Sequence, residues 1–551
     1  MTGQGETMDS IRSIGSYDYI IVGAGSAGCV LANRLSADPA NKVLLLEAGG
    51  KDNYFWISIP IGTRYTVNNP RTDWMYRSEP EEGLSGRVIN VPRGRTLGGS
   101  SSINGMVYIR GQARDYDLWR QQGNTGWAWD DVLPYFKRFE DYCHGDDEWH
   151  SRGGELRVEE PRMRWEILDA FVDAAAQSGI PRTRDFNRGD NEGVAYNQVT
   201  QRRGVRHSTA RAFLHPVTNR PNLRVLTQAQ AKRLLMKGKR VIGVEFWQGD
   251  VLTRAEARRE VIVTSGAIAS PQLLQLSGIG PAALLRERGV DVMHALPGVG
   301  ENLQDHLMQR VLFRVSNTKT LNERLRYPLG KLGMGLEYFL FKRGPMSVIP
   351  PQICAFTKSD ASRETANIQI QVAAFSYEKL GEPPHPWPAF TAWTCNLRPT
   401  SRGHVRIKSA DARERPALMH NYLSTHDDQR VAVDIVHKVR RIAQAPALAR
   451  FMPSEQAPGP AVTRDEDILQ YVRDTATTVF HPTGTCKMGH DSLAVVDDRL
   501  RVHGIAGLRV VDASIMPNVV SGNTNAPTIM IADKASDMIL ADQKIAARAA
   551  A

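Results

Sequence analysis

The pattern of apolar and polar residues is most regular near the start of the chain. A short β-branched run at residues 19–22 leads through a glycine turn into the segment CVLANRL, and a second apolar run follows at residues 42–46. Short apolar runs bounded by glycine predict buried strands, and a helical segment between them predicts parallel pairing. The alternating segments NIQIQVAAF and HVRIKSA predict further strands. We therefore expect an α/β fold.

Two other segments have patterns of their own. In NTNAPTIMIADKASDMIL the apolar residues Ile531, Ala535, Met538 and Ile539 recur at the spacing of a buried helix face, which predicts a helix beginning at Asn525. The segment YFWISIPIGTRYTVNNPRTDWMYRSEP is rich in aromatic, proline and turn residues. It is predicted to be an irregular loop that gates access to a site.

Composition narrows the class of protein. A chain of 551 residues that is 42% hydrophobic and 23% charged is typical of a globular enzyme of two or three domains. Its five cysteines include no C-x-x-C pair, which argues against a disulfide framework or a zinc ribbon. No long apolar run is present, and the first 16 residues are polar, so a cytoplasmic location is predicted.

The net charge of +10 comes from 69 basic and 59 acidic residues spread along the whole chain. Without a recognition motif, this excess argues against nucleic-acid binding. It is compatible with an anionic cofactor, and it leaves open peripheral association with the cytoplasmic side of an acidic membrane.

Three glycines, Gly23, Gly25 and Gly28, have the spacing G-x-G-x-x-G between the first predicted strand and helix. Gly23 permits a tight turn, Gly25 lets the backbone approach a pyrophosphate, and Gly28 lets the helix pack closely on the strand. Glu47 ends the second strand 22 residues beyond Gly25, where an acid accepts hydrogen bonds from the adenosine ribose. The unit predicts dinucleotide binding and does not decide between NAD and FAD; a glycine-rich turn without a ligand is the structural alternative.

A second glycine-rich segment, NVPRGRTLGGSSSINGMVYIRG, covers residues 90–111. Its amides suit close approach to an anionic ligand, and its interleaved apolar residues indicate a buried segment rather than a surface linker. Together with GAIASPQLLQLSGIG at residues 266–280, it resembles the two signature segments of the glucose-methanol-choline family of FAD-dependent oxidoreductases. The resemblance covers nearly the whole chain and is strongest to choline-dehydrogenase-like bacterial alcohol dehydrogenases.

The resemblance implies a set of contacts to FAD. They are Gly23, Gly25, Ser26, Ala27, Gly28, Glu47, Gly98, Gly99, Ser101, Asn104, Gly105, Met106, Ala231, Asp512 and Ala513. Some members of the family attach the flavin covalently to a histidine in the serine-rich segment. That position is Ile103 here, which implies a non-covalent FAD.

The resemblance also implies a domain order. A discontinuous Rossmann-type FAD-binding domain is expected at residues 17–160, 222–313 and 464–547, after a flexible N-terminus at residues 1–16. Residues 161–221 and 314–463 are expected to form a substrate-binding domain in which helices flank a second sheet.

The segment VFHPTGTCKMGH contains His481, Cys486 and His490, which by spacing alone suit a metal site, a nucleophile with its base, or a turn. The intervening proline and glycine break any helix that would align metal ligands, so no metal is predicted. The resemblance implies that His481 and Asn525, 44 residues apart (525 − 481), are the catalytic pair. Asn525 also suits a helix N-cap, a role compatible with catalysis.

A neutral imidazole is well matched to accept the hydroxyl proton of an alcohol while the hydride moves to flavin N5, and an amide can hold the substrate oxygen. The predicted reaction oxidises a primary alcohol to the aldehyde and passes electrons to a quinone, an artificial acceptor or a protein acceptor, not to NAD. If His481 is unperturbed, activity rises with pH around ~6.5. An oxidase that uses oxygen and releases hydrogen peroxide, and a hydroxynitrile lyase-like or binding flavoprotein, are the alternatives.

Phe480, next to His481, is the predicted wall of the substrate pocket. Further aromatic candidates, of a type more often found in cores, are Tyr65, Trp74, Tyr377, Trp387 and Trp393.

Overall fold

The computed structural model describes residues 11–349, 351–378 and 382–550, with side chains described up to residue 545. Within these residues the chain forms two seven-stranded sheets, each with a large apolar core. Residues from both sheets line one large cavity. The fold therefore has two parts, each built on one sheet, and residues of both parts line the cavity.

The first sheet is mostly parallel. Its strands, in spatial order, are Leu223–Leu226, Val43–Leu46, Arg12–Val22, Val251–Val263, Arg240–Gln248 and Ala229–Lys237, and Leu508–Val510 also pairs with Val251–Val263. Arg12–Val22 pairs in parallel with Val43–Leu46, and helix Ser26–Leu35 connects these two strands. The predicted α/β fold class is therefore confirmed.

The first strand is longer than the sequence pattern predicts. Residues 12–16 were expected to be flexible, yet they belong to Arg12–Val22 because they pair in parallel with the long strand Val251–Val263. Residues 1–10 of the predicted N-terminal segment lie outside the described residues.

The second sheet is antiparallel. Its strands, in spatial order, are Ser454–Ala457, Leu307–Arg314, Ala389–Asn396, Ile368–Ala373, Ile353–Thr357 and Gly193–Tyr196, and Thr477–Thr478 also pairs with Leu307–Arg314. Ile368–Ala373 is the strand predicted in NIQIQVAAF. His404–Arg406, predicted in HVRIKSA, pairs instead with Ala417–Met419 in a separate ribbon. The expected domain limit at residue 313 cuts through Leu307–Arg314, which pairs along its length with Ala389–Asn396.

The helices surround these sheets. They are Ser26–Leu35, Phe55–Ser58, Thr63–Thr66, Ala113–Gln121, Trp129–Phe139, Glu166–Gln177, Gly266–Leu276, Ala282–Glu287, Leu321–Arg326, Pro328–Phe341, His426–Ala443, Pro446–Ala449, Asp465–Thr475 and Asn525–Ala550. Short paired strands are Tyr76–Arg77 with Asn90–Val91, Glu140–Tyr142 with Leu156–Val158, Gln201–Arg202 with Val205–Arg206, and Ile279–Gly280 with His294–Ala295. No helix in the described part of the chain is long and apolar enough to cross a membrane.

Two sequence predictions about local structure have clear outcomes. The helix predicted at Asn525 begins at that residue and buries Ile529, Ile531 and Ile539. The predicted irregular loop at residues 54–80 contains two short helices and the strand Tyr76–Arg77, because its aromatic residues pack on the apolar clusters beneath them.

Candidate active site

A cavity of about 1690 Å³ is lined by residues from both sheets. Pockets for drug-sized ligands usually measure about 300–1,000 Å³. The cavity therefore has room for a dinucleotide together with a second, smaller molecule.

One end of the cavity is made of closely packed backbone. A Cβ atom on Gly28 would lie 1.9 Å from the carbonyl oxygen of Gly23, and one on Gly99 would lie 2.7 Å from the Cα of Gly25. Gly99 also has φ +52°, a conformation that favours glycine. The first glycine turn and the second glycine-rich segment thus contact each other, and their amides can approach a pyrophosphate closely.

Three helices begin at this end of the cavity. Ser26 and Asn525 are the first residues of their helices, and the Ser26 hydroxyl donates a hydrogen bond to the Asn525 side-chain oxygen at 2.7 Å. The amide of Gly266, the first residue of the third helix, donates to Asp512 Oδ2 at 2.8 Å. Helix N-termini favour negative charge, so this end of the cavity suits an anionic cofactor.

Glu47 is a buried acid that lines the cavity beside the first glycine turn. Its carboxylate accepts hydrogen bonds from the amides of Ala24 at 2.9 Å and Gly49 at 2.7 Å. Burial raises the pKa of Glu47 to about 7, although these two amides and nearby Arg95 favour the charged form. The carboxylate is therefore fixed in place and titrates near neutral pH.

Most of the cofactor contacts implied by the resemblance line the cavity. They are Gly23, Gly25, Ser26, Ala27, Glu47, Gly99, Asn104, Gly105, Met106, Ala231, Asp512 and Ala513. Gly28, Gly98 and Ser101 lie behind this surface. The Ser101 hydroxyl donates to the carbonyl of Gly98 at 2.6 Å, and it is Ser100 that faces the cavity.

His481 is buried at the other end of the cavity, where its ring has a partner on each nitrogen. Its Nδ1 lies 3.0 Å from Nδ1 of His306, and its Nε2 lies 3.1 Å from the side-chain nitrogen of Asn523. Its backbone amide donates to Asp305 at 2.8 Å. Two distant segments, residues 305–306 and Asn523, therefore hold His481 by its ring and its backbone.

The residue before His481 has an unusual backbone. Phe480 lines the cavity and has φ +74°, a left-handed conformation that is rare for a bulky residue. The Arg93 guanidinium stabilises this turn by donating to the carbonyl of Phe480 at 2.7 Å. The strained turn presents the imidazole of His481 to the cavity.

The hydrogen bonds determine which nitrogen of His481 carries the proton. Nε2 of His306 lies 3.1 Å from the carbonyl oxygen of Leu397 and must donate, because a carbonyl only accepts. In a neutral His306 the Nδ1 atom then accepts, so His481 donates from its own Nδ1. The Nε2 atom of His481 is left with a lone pair, which faces the Asn523 amide.

Electrostatics keep His481 neutral. Its pKa lies well below the usual value of 6.5, first because the ring is buried and then because His306 and Arg93 are close. Burial also lowers the pKa of His306. Both imidazoles are therefore neutral at neutral pH, as the hydrogen-bond pattern requires.

The structure brings Asn523, not Asn525, into contact with His481. The side-chain oxygen of Asn523 accepts from Gln369 at 3.4 Å, which turns its nitrogen toward His481. Asn525 instead bonds to Ser26 at the cofactor end. The residue in contact with His481 thus lies two positions before the predicted partner, because Asn525 begins the helix and the turn before it reaches His481.

Sequence reasoning also missed His306 and Asp305. They end the segment GVGENLQDH, in which an acid and a histidine follow a glycine-rich turn. The adjacent acid and histidine were the only feature of this segment that indicated a functional site. Contact with His481 could not be read from it, because 175 residues separate the two histidines.

Cys486 and His490 do not join His481. Cys486 is fully buried, and burial raises the pKa of its thiol, whereas His490 is exposed. Among the described residues, no group of three or more His, Cys, Asp or Glu side chains is placed to hold a metal ion.

Apolar side chains form part of the cavity wall. They include Met308, Met334, Met346, Ile349, Phe375, Tyr377, Trp393, Val479 and Phe480. Of the aromatic candidates, Tyr65 and Trp74 also line the cavity, but Trp387 stacks on His385 outside the lining, with 4.5 Å between ring centroids. The Glu378 carboxylate beside Tyr377 is paired with Arg310 at 3.0 Å.

A buried neutral imidazole and a glycine-rich backbone turn that suits a dinucleotide line the same cavity, an arrangement typical of cofactor-dependent oxidoreductases. Family models described as GMC oxidoreductase match residues 17–308 and 399–532. The chain belongs to the GMC oxidoreductase family, whose members bind FAD. The family resemblance inferred from the sequence is therefore confirmed.

Individual relatives are similar over nearly their full length. The alcohol dehydrogenase [acceptor] of Pseudomonas putida is 42% identical over 528 residues, which is 95% of this chain and 96% of that protein. The oxygen-dependent choline dehydrogenase of Vibrio vulnificus is 42% identical over 533 residues, 96% of this chain and 95% of that protein. The crystal structure of pyridoxine 4-oxidase from Mesorbium loti superimposes with a TM-score of 0.86 at 32% identity, over 95% of this chain and 99% of that one.

Proposed function

We propose that the protein oxidises apolar primary alcohols to aldehydes, with His481 as the base and FAD as the oxidant. The observation that carries this proposal is the chain of hydrogen bonds from Leu397 through His306 to Nδ1 of His481. In neutral rings this chain leaves the lone pair of His481 on Nε2, beside Asn523. A neutral base at this point can take a hydroxyl proton directly.

The roles of the side chains follow from their atoms. A substrate hydroxyl would replace the Asn523 amide at the lone pair of His481 Nε2 and give its proton to that atom. The Asn523 amide, 3.1 Å from Nε2 in the structure, would then donate to the substrate oxygen as it gains negative charge. FAD, when bound, would supply the redox chemistry as the hydride acceptor. Asn525 and Ser26, which bond to each other, serve the cofactor end instead.

FAD fits the cofactor end as a non-covalent ligand. Gly23, Gly25 and Gly99 line the cavity, where their backbone could approach a pyrophosphate, and the Glu47 carboxylate in the same wall would accept hydrogen bonds from a ribose. At the position of the covalent histidine stands Ile103, whose side chain cannot form that bond. The proposed cofactor domain keeps the expected boundaries with two exceptions: it gains residues 12–16 of the strand Arg12–Val22, and it loses the strand Leu307–Arg314 to the second sheet.

An apolar alcohol fits the reaction end better than choline. Aromatic residues there could surround a cation, but recognition of a quaternary ammonium ion also benefits from a free carboxylate. Glu378 in the cavity wall is already paired with Arg310, and four methionines and eight aromatic residues are among the residues of that wall. Aliphatic and aromatic primary alcohols are therefore the proposed substrates.

The proposed electron acceptor is a quinone or a carrier protein. The Pseudomonas putida relative is named for an unspecified acceptor, and the Vibrio vulnificus relative is named as oxygen-dependent. Oxidase activity is the second candidate for this reason. The cytoplasmic location remains a prediction from the sequence.

Anaerobic flavin reduction tests the proposal directly. Purified holoenzyme is mixed without oxygen with benzyl alcohol, furfuryl alcohol, glycol ethers, long-chain alkanols or choline, and the loss of flavin absorbance is followed. We expect apolar primary alcohols to bleach the flavin fastest. Peroxide release in air would identify an oxidase, and a flavin that no alcohol reduces would contradict the proposal in favour of a lyase or a binding protein.

Replacing the base should slow reduction strongly. His481→Ala is expected to lower the anaerobic rate constant of flavin reduction by about 10²–10⁴-fold, the usual contribution of a general base, with the protein still yellow. His490→Ala, an exposed histidine of the same segment, is the matched control and should leave the rate unchanged. Equal rates in the His481 variant and the wild type would remove His481 from the mechanism.

A further inference from the structure

Helix Pro328–Phe341, which we call the outer helix, carries an exposed apolar face. Five of its large apolar side chains are between 51% and 81% exposed: Leu329, Leu332, Leu336, Phe339 and Leu340. They recur every three or four residues and so lie on one side of the helix. Exposed apolar residues are common singly, but a continuous stripe of this kind marks an interaction surface.

The opposite side of the outer helix attaches it to the protein. Met334 and Tyr338 are buried, and the Tyr338 hydroxyl donates to the carbonyl of Gly204 at 3.2 Å. The helix is therefore anchored to the protein through its buried face, and the exposed stripe belongs to a fixed part of the surface.

The apolar surface continues beyond the helix. The ring of Phe55 stacks on Phe339 with 6.1 Å between centroids and is itself 54% exposed. Tyr327 and Phe341, at the two ends of the helix, are also more than half exposed. Aromatic rings at the edge of an apolar patch are typical of surfaces that lie in a membrane interface.

Basic side chains border this patch. Residues 324–343 contain five basic residues and one acidic residue. Lys342 lies 5.3 Å from the ring of Phe339, and the Arg343 guanidinium lies 5.0 Å from the ring of Phe341. An apolar stripe with a basic border matches the acyl chains and acidic headgroups of an anionic bilayer.

We propose that the outer helix, with Phe55, Tyr327 and Phe341, docks the protein on an anionic phospholipid bilayer. A second copy of the chain is a poorer occupant, because a symmetric interface brings the same patch together and would oppose two basic borders. An anionic lipid surface instead neutralises the basic residues while the leucines and phenylalanines leave water.

The docking surface adjoins the cavity. Lys331, Met334 and Gly335 of the outer helix line the cavity, and so do Trp56 and Tyr65, which stack on each other beside Phe55. Molecules dissolved in the bilayer would therefore meet the cavity next to the docked helix. The protein would draw apolar alcohols or a lipid-soluble acceptor from the membrane rather than from water.

Vesicle binding tests this proposal without turnover. Holoenzyme is mixed with vesicles of phosphatidylcholine alone or of equal parts phosphatidylcholine and phosphatidylglycerol, and the bound fraction is measured by flotation. We expect binding to the anionic vesicles that weakens with added salt. The double variant Leu332→Glu with Leu336→Glu should lower the vesicle affinity at least about tenfold, because it puts charges in place of two leucines that would enter the bilayer.

A matched control places the same two charges elsewhere. Val251→Glu with Ile545→Glu alters two other exposed apolar residues and should bind like the wild type. Lys342→Gln with Arg343→Gln should weaken binding only to the anionic vesicles. Leu332 and Leu336 do not line the cavity, so reduction of the flavin by a water-soluble alcohol should be unchanged in their variant.

Three outcomes would overturn the proposal. The wild type fails to bind anionic vesicles, or the double variant binds as well as the wild type. In the third outcome, light scattering shows that the wild type is a dimer and the double variant a monomer, and neither protein binds vesicles. A second copy of the chain would then cover the patch. None of these results depends on alcohol oxidation, so the proposal and the proposed function fail independently.

Discussion

The two ends of the cavity are built in different ways. The cofactor end consists largely of backbone from residues 23–28 and 98–106, where a Cβ on Gly28 or Gly99 would meet other backbone atoms. The reaction end consists of side chains from distant segments, joined by the hydrogen bonds of His481. Adding an atom at the cofactor end should therefore impair FAD binding. Removing a hydrogen-bond donor or acceptor at the reaction end should instead slow the reaction.

The largest effect is expected from adding one methyl group at the cofactor end. Gly28→Ala places a Cβ 1.9 Å from the carbonyl oxygen of Gly23, and a backbone atom cannot move aside as a flexible side chain could. We expect the purified variant to contain almost no FAD, measured as flavin absorbance per polypeptide. Gly50→Ala is the control, because a Cβ there meets no atom within 4 Å. Full FAD content in the Gly28 variant would contradict the close-packed cofactor end.

A smaller effect should separate the two asparagines. Asn523→Ala removes the amide beside His481 Nε2 and should lower the anaerobic reduction rate about 10²–10³-fold with FAD retained, the range seen for loss of one oxyanion donor. Asn525→Ala removes the bond to Ser26 and should mainly weaken FAD binding. The reverse result would return the catalytic role to Asn525, as the sequence first indicated.

Exchanging His306 should have a still smaller effect, because it acts through His481. His306→Leu removes the acceptor of the His481 Nδ1 proton and lets the ring take either tautomer, so we expect reduction about tenfold slower. His306→Asn offers an oxygen near the former Nδ1 and should restore most of the rate. Equal rates in the two variants would mean that His306 serves only for packing.

The wild-type pH profile provides a further check on this end. Because burial holds the pKa of His481 well below 6.5, the base stays neutral as pH falls to that value. The reduction rate should therefore be flat from neutral to alkaline pH and fall only in acid, in contrast to the rise around ~6.5 that an unperturbed imidazole predicts.

The same contrast explains what the sequence could predict. Gly23, Gly25, Gly28 and Glu47 act within one strand–helix–strand unit, so their spacing already carries the geometry. His481 was recognisable through family resemblance, but its contact with His306 joins residues 175 apart. The choice between Asn523 and Asn525 depends on where a helix begins relative to a turn, which a difference of two positions in sequence does not reveal.

The smallest effect concerns protonation at the cofactor end. Burial raises the pKa of Glu47 from 4.5 to about 7, so the stability that neutral Glu47 gives the apoprotein is lost as pH rises through about 7. A ribose hydroxyl donates to the ionised carboxylate, so FAD binding should respond in the opposite direction. If only the ionised form accepts the ribose, FAD affinity of the apoprotein should fall about fourfold from pH 8 to pH 6.5.

Fluorescence titration of apoprotein with FAD at several pH values measures this change. Glu47→Gln should give weaker binding that no longer depends on pH in this range, whereas Glu82→Gln, at an exposed acid, should keep the wild-type dependence. If wild-type affinity did not change between pH 8 and pH 6.5, Glu47 would not contact the ribose through its charge. The cofactor end would then depend on its backbone alone, and the contrast between the two ends of the cavity would be sharper than we propose.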